Sequence, residues 1–214
     1  MIKLFVVLLV TFTHLAASAA WDLDQDALKI PAPPKKGSAA ERKDFEVLLG
    51  YQNGGRTKAE CKAAGLQWIP TLASLFGPRT GLLSGDEVKE LKEFGSEIIE
   101  TVSKACEPFK EHWQRQRPYD VDVAVEPCIR KPGGRTSYPS SHAAMGIVLG
   151  DVLAEIYPEK KAALQKQGLR IGEFRVLGGI HHPSDIEAGR KIGHQVRDQL
   201  MENSEFLKEL KKIQ

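Results

Sequence analysis

A chain of 214 residues, 42% hydrophobic and 27% charged, has enough apolar mass for one globular domain with its own core. Its formal net charge of +2 is too small to argue for a nucleic-acid partner. The three cysteines, Cys61, Cys106 and Cys128, are an odd number, so at least one lacks a partner within the chain.

Lys3, the apolar run 4–10 and Ala17-Ser18-Ala19 read as an export signal cut after Ala19. The run is too short to span a membrane. Export makes an oxidising compartment the expected destination, and a Cys106–Cys128 disulfide is the preferred pairing because it would staple the segment carrying Arg117. Three reduced, buried thiols are the alternative. The cysteine spacings match no zinc site.

Residues 20–38, with Pro31, Pro33 and Pro34, read as an extended arm. A short helix over 42–52 is broken by Asn53-Gly54-Gly55. Two more over 58–64 and 66–76 are separated at Gly65. Ser84 and Glu87 have capping-box spacing. Val88, Leu91, Ile98, Val102, Cys106 and Phe109 then continue one long helix toward Arg117, where Pro118 should stop it. The stretch 119–136 reads as loop. Ser140-Ser141 open a strongly apolar helix through Ile156. Helices over 158–167 and 169–177 follow, then one from Pro183 with a stripe at Ile186, Gly189, Ile192, Val196 and Leu200, then a tail helix over 204–213. No run alternates with a strand period. The class is all-α, a single-domain multi-helix bundle.

Three clusters carry chemistry. Lys110 and Arg117, seven residues apart, would share one side of the long helix as arms of a phosphate clamp. Ser140 and Ser141 supply hydroxyls and free N–H groups at a helix start, an anion site, with His142 next in line. Capping alone accounts for the serines but not for the histidine. Arg175, His181 and Asp185 bring a guanidinium, an imidazole and a carboxylate able to fix that imidazole's tautomer. Together these are the parts phosphoryl transfer needs, with cations doing the work of a metal and no Gly-rich nucleotide loop beside them.

The order Lys110-x6-Arg117-Pro118, Pro139-Ser140-Ser141-His142 and Arg175-x5-His181-x3-Asp185 resembles the three-part signature of the phosphatidic acid phosphatase and vanadium haloperoxidase superfamily. Within it, the chain resembles the bacterial class A non-specific acid phosphatases, most strongly from about Ser84 onward. The resemblance implies that residues 39–214 form the catalytic domain of an exported, periplasmic or secreted acid phosphatase that cleaves small phosphomonoesters without a metal or cofactor. It implies His181 as nucleophile, Asp185 as its orienting partner and His142 as general acid and then base. Lys110, Arg117, Ser140, Ser141 and Arg175 would bind phosphate, and vanadate would inhibit. The family includes oligomers, which is the only ground for expecting a homo-oligomer. Ser141 stands where the family usually has Gly, and Phe174 where it usually has Ser. His182 is expected to be a helix cap or a pocket wall. The competing readings are a vanadate-dependent haloperoxidase, a lipid phosphate phosphatase and a non-catalytic phosphate-binding protein.

Overall fold

The structure, a computed structural model, describes residues 21–134 and 136–214; the export signal assigned to residues 1–19 lies outside the described residues. Among the described residues there is no β-strand, and the fold is the all-α class expected from the periodicity.

The segment from Trp21 to Ser38 is extended apart from a 3₁₀ turn at Gln25–Ala27 and a turn at Lys36-Gly37 closed by the Ser38 N–H on the Lys35 carbonyl. It is tied down along its length. Trp21 packs edge-on against Phe94 and Phe206. The side chains of Gln195 and Gln199 each exchange two hydrogen bonds with its backbone, at Lys29 and Asp24. The Tyr138 hydroxyl donates to the Pro31 carbonyl. Ser38 then caps α1 (Ala39–Gly50), and Gly54, at φ 123°, ends the turn that follows.

Helices α2 (Lys58–Leu66) and α3 (Leu72–Phe76) come next, each with a capping box. Gly65 does not separate them; it lies inside α2, which stops at Leu66. The Ser84–Glu87 capping box forms as its spacing predicts and starts α4 (Gly85–Glu90). The long helix expected from there is interrupted at Leu91, where the turn buries that side chain in the core, and α5 (Lys92–Trp113) carries on. It ends earlier than expected. Gln114 takes a left-handed conformation and its N–H closes on Lys110 O, so Lys110 and Arg117 do not share a helix. Arg117 instead stands just before the short α6 (Pro118–Val121), which interrupts the expected loop.

The centre of the molecule is α7 (Ser141–Ile156). Eleven of its 16 residues are buried, and a helix apolar on all sides must be enclosed by others. It packs against α5, α8 (Lys161–Leu177) and α9 (Pro183–Glu202). The expected break at Gly168 is absent, and α8 runs straight through it. The glycine serves packing instead: a Cβ on Gly168 would run into the carbonyl of Gly146 on α7, and one on Gly146 into the carbonyl of Gly168. Helix α10 (Ser204–Ile213) closes the core with Phe206 and Leu210.

The disulfide joins Cys61 on α2 to Cys128, not Cys106 to Cys128. Cys106 points into the core from α5 and is fully buried and free, whereas Cys128 lies in the loop that runs beside α2.

Candidate active site

Gly178 and Gly179 end α8 and set the turn on which the site depends. Gly179 has φ 78°, and its backbone sits so close to Pro127 that a Cβ would lie 3.0 Å from Pro127 Cα. The turn delivers His181 and His182 into the interior just before α9, both buried. His182 precedes Pro183 as the N-cap residue, and its N–H donates to Asp185 Oδ2 at 2.8 Å. Its ring stands edge-on to Phe45. Both expectations for His182 come down to the cap.

Asp185 is fully buried and surrounded by donors. Oδ2 accepts from the Ser137 hydroxyl at 2.6 Å and lies 3.2 Å from His181 Nδ1; Oδ1 accepts from Arg115 at 2.6 Å. Burial alone would raise the carboxyl, but the hydrogen bond to His181 and the charges of His182 and Arg115 outweigh it and hold Asp185 well below the usual carboxylate range. Asp185 is ionised.

The tautomer of His181 follows from its neighbours. Arg117 Nη1 lies 2.9 Å from Nε2 and can only donate, so Nε2 is the acceptor and the proton sits on Nδ1, facing Asp185. Burial and the charge of Arg117 push the imidazole well below its usual pKa, against the pull of Asp185, so the ring stays neutral in mild acid. A second donor bond from Arg117 Nη1 to the Ile180 carbonyl, at 2.8 Å, fixes the guanidinium, and its Nε points to the Gly134 carbonyl at 3.4 Å.

Ser140 caps α7. Its hydroxyl faces Ala143 N and its own N–H donates to the Asp185 carbonyl at 3.0 Å, which locks the start of α7 to the start of α9. The cap uses a lone pair of the hydroxyl oxygen and leaves its O–H available as a donor. Among the described residues, the N–H groups of Ser141 and His142 have no acceptor. The Ser141 side chain, standing where glycine is usual, lies beside the Cys106 thiol. Lys110 Nζ donates to the Pro139 carbonyl at 2.5 Å, and burial pushes its pKa down. His142 Nε2 is 3.0 Å from the Gln67 carbonyl, so that nitrogen carries the proton and a second proton would go on Nδ1. Burial, then the nearby charge of Arg175, push His142 down to about 3.

Arg175 is fully buried. It donates to Ala64 O at 2.6 Å and to Gln67 Oε1 at 3.3 Å, while Nε and Nη1 find no partner among the described residues. Burial pushes it down to about 10, still a cation at any working pH. Phe174, the other departure, lies in an apolar cluster beside this chemistry. It packs with Ala64, Ile129, Leu177 and Ile180, and Arg170 lies over its ring at 4.8 Å.

Lys110, Arg117, Arg175, His142, His181 and Asp185 thus converge from α5, α6, α7, α8 and α9. Four further residues were given no role from the sequence. Arg115 bridges two buried carboxylates, Asp185 and Asp44, and also donates to Ser184. Asp44 in turn accepts from the N–H and hydroxyl of Ser184. Ser137 and Gln67 hold Asp185, His142 and Arg175 as described. Arg115 offered a faint signal, two residues before Arg117. Asp44, on α1, offered none.

Comparison with known proteins places the chain in a family. The description of the PAP2 superfamily matches residues 95–196. The chain is 30% identical over 192 residues to a non-specific acid phosphatase from Providencia stuartii, covering 86% of this chain and 77% of the relative. It is likewise 30% identical over 195 residues to a non-specific acid phosphatase from Salmonella typhimurium, covering 86% and 76%. Among solved structures, a bacterial vanadium-dependent iodoperoxidase shares the fold at a TM-score of 0.62 and 17% identity, over 85% of this chain and 54% of that one. The chain belongs to the PAP2 superfamily, among its non-specific acid phosphatases.

Proposed function

We propose that this chain is an exported phosphomonoesterase that needs no metal and turns over through a phosphohistidine on His181. The chain is an acid phosphatase, a phosphoric monoester hydrolase of its family. The finer reading is carried by one observation: a buried, neutral imidazole with Nδ1–H on a carboxylate and the Nε2 lone pair beside an arginine.

In this reading the phosphoryl group sits among Lys110, Arg117, Arg175 and the N–H groups at the start of α7, and the cations stabilise its equatorial oxygens. The Ser140 hydroxyl accepts from Ala143 N in the cap and donates its proton to a phosphoryl oxygen. Arg117 Nη1 shifts its hydrogen bond from His181 Nε2 to a phosphoryl oxygen, and the freed Nε2 lone pair attacks phosphorus in line. The P–N bond forms as the ester P–O bond breaks, and the leaving oxygen takes a proton from His142. The ring now carries positive charge, which ionised Asp185 stabilises. Water then attacks phosphorus, His142 takes its proton, the P–N bond breaks and phosphate leaves. Arg115, shared between Asp185 and Asp44, is a positioning residue for the carboxylate.

The two depressed histidines explain how such a site works in acid. An ordinary imidazole would be mostly protonated at pH 5 and useless as a nucleophile, but burial and the charge of Arg117 push His181 well below its usual pKa, and the Arg117 N–H on Nε2 requires that nitrogen unprotonated. His142 is also neutral before substrate binds. Its proton arrives with the substrate: a monoester monoanion beside neutral His142 has the same proton count as a dianion beside protonated His142. The incoming anion also offsets the cations that depress it.

Export is supported by the Cys61–Cys128 disulfide, which suits an oxidising compartment, and by the sequence of residues 1–19; the arm at 20–38 and a catalytic domain at 39–214 complete this division. Vanadate has the shape and charge of phosphate and is expected to compete for the same residues. The test is hydrolysis of phenyl phosphate with chelator, with vanadate and with His181→Ala. Activity that survives chelator, is lost with vanadate and is absent in His181→Ala is the expected result. Retained turnover in His181→Ala would sink the assignment.

A further inference from the structure

The loop between α6 and α7 is pinned at its base and presents two cations beside the site. Gln52 bonds to Ala124 O and Glu126 N, Arg56 to Glu126 O, and Cys128 N–H to the Gly178 carbonyl, with the disulfide to Cys61 alongside. Ile129 fills the face of Gly178. From this fixed base Arg130 extends over the Trp68 ring at 5.1 Å and Lys131 over the Tyr119 ring at 4.8 Å. Each ring is close in sequence to a residue of the site. Trp68 follows Gln67, whose carbonyl faces His142, and Tyr119 is two residues after Arg117. The loop then reaches Gly134, whose carbonyl faces Arg117 Nε.

Both cations are exposed, and among the described residues neither forms an ion pair. No Asp or Glu occurs from Pro127 to Gly150. An aromatic ring orients a guanidinium or ammonium without cancelling its charge. Ile69, next to Trp68 in the chain, is 68% exposed, whereas Leu66 opens toward the cavity it lines with Phe174 and Arg170. A single exposed apolar residue needs no explanation, but Ile69 adjoins a ring that carries a cation.

We propose that this rim selects monoesters whose leaving group is an apolar or aromatic body bearing a second anionic group, with Arg130 and Lys131 receiving that group and Trp68 and Ile69 the body. The proposal rests on the phosphatase reading above and names its substrate class. The cations lie outside the catalytic cluster, so they act on binding rather than on the chemical step. Two exposed charges supply about tenfold in affinity at low salt, shrinking as salt rises.

Calorimetry with benzylphosphonate and 4-carboxybenzylphosphonate, on the wild type and on Arg130→Ala/Lys131→Ala, tests this without turnover. The carboxylate is expected to tighten wild-type binding about tenfold at low salt, and the double variant to lose most of that advantage. An equal advantage in both proteins, or none in the wild type, would overturn the proposal. If neither phosphonate binds, the phosphate-pocket reading beneath it fails as well. Hydrolysis of phenyl phosphate against 4-carboxyphenyl phosphate gives the kinetic counterpart: the preference should lie in KM with kcat alike, and a preference confined to kcat would count against the rim.

Discussion

Replacing Asp185 with Asn changes one atom and disturbs four hydrogen bonds. The carboxylate accepts from Ser137, His182 N–H and His181 on Oδ2 and from Arg115 on Oδ1. An amide has one acceptor. If its oxygen takes the Oδ2 place, three donors are kept, but the NH₂ faces Arg115, donor against donor. That leaves the guanidinium on Asp44 and Ser184 alone. If the amide flips, its NH₂ faces His181, and the ring must move its proton to Nε2, which removes the attacking lone pair. The first arrangement loses a charge-assisted buried bond, about 3 kcal/mol of stability. Either arrangement removes the negative charge that would stabilise the proposed cationic phosphohistidine, and a comparable loss in a serine-histidine-aspartate triad lowers kcat about 10⁴-fold. Denaturant unfolding at pH 7 and steady-state hydrolysis of phenyl phosphate read the two effects separately. A folded Asp185→Asn protein with kcat within tenfold of the wild type would refute the reasoning.

Other outcomes follow from the same geometry. kcat/KM should fall as pH rises above about 6, where a monoester loses its second proton; a profile flat to pH 8 would contradict the proton inventory given above. Stability should move the opposite way. His142 titrates at about 3 in the fold against about 6.5 unfolded, so the unfolded chain binds the extra proton first and stability is lost as pH falls from about 6.5 toward 3. For this half-buried group the loss at pH 4.5 is on the order of 2 kcal/mol, recovered by added phosphate; unfolding curves at pH 7 and 4.5, with and without phosphate, measure it. The Cys61–Cys128 bond closes a sequence separation of 67, so Cys61→Ser/Cys128→Ser should cost about 4 kcal/mol in the chain-entropy account. Thermal unfolding of that variant beside Cys106→Ala tells whether the pairing matters, and an equal melting temperature for wild type and the double serine variant would contradict it.

What was legible in the sequence was local or repeated along a helix. The Ser84 capping box, the apolar α7 and the Pro183 start of α9 needed only propensity and spacing. The residues of the site were legible as motifs, although the reason offered for Lys110 and Arg117 was wrong. They meet across a left-handed turn at Gln114, not along one helix face. Gly168 looked like a helix breaker because only the partner helix shows why a glycine is needed there. The disulfide was missed because Cys106 and Cys61 differ in which side of the core they face, which no spacing records. Asp44 and Arg115 are 71 residues apart and meet only through the packing of α1 beside α9.

The most direct test of the central claim is to quench turnover of a labelled phosphomonoester and find where the phosphoryl group resides. The account predicts an acid-labile, base-stable phosphate on the peptide containing His181, absent from His181→Ala, with net retention at phosphorus from two in-line steps. Phosphate on another residue, or inversion at phosphorus with no trapped enzyme, would contradict it.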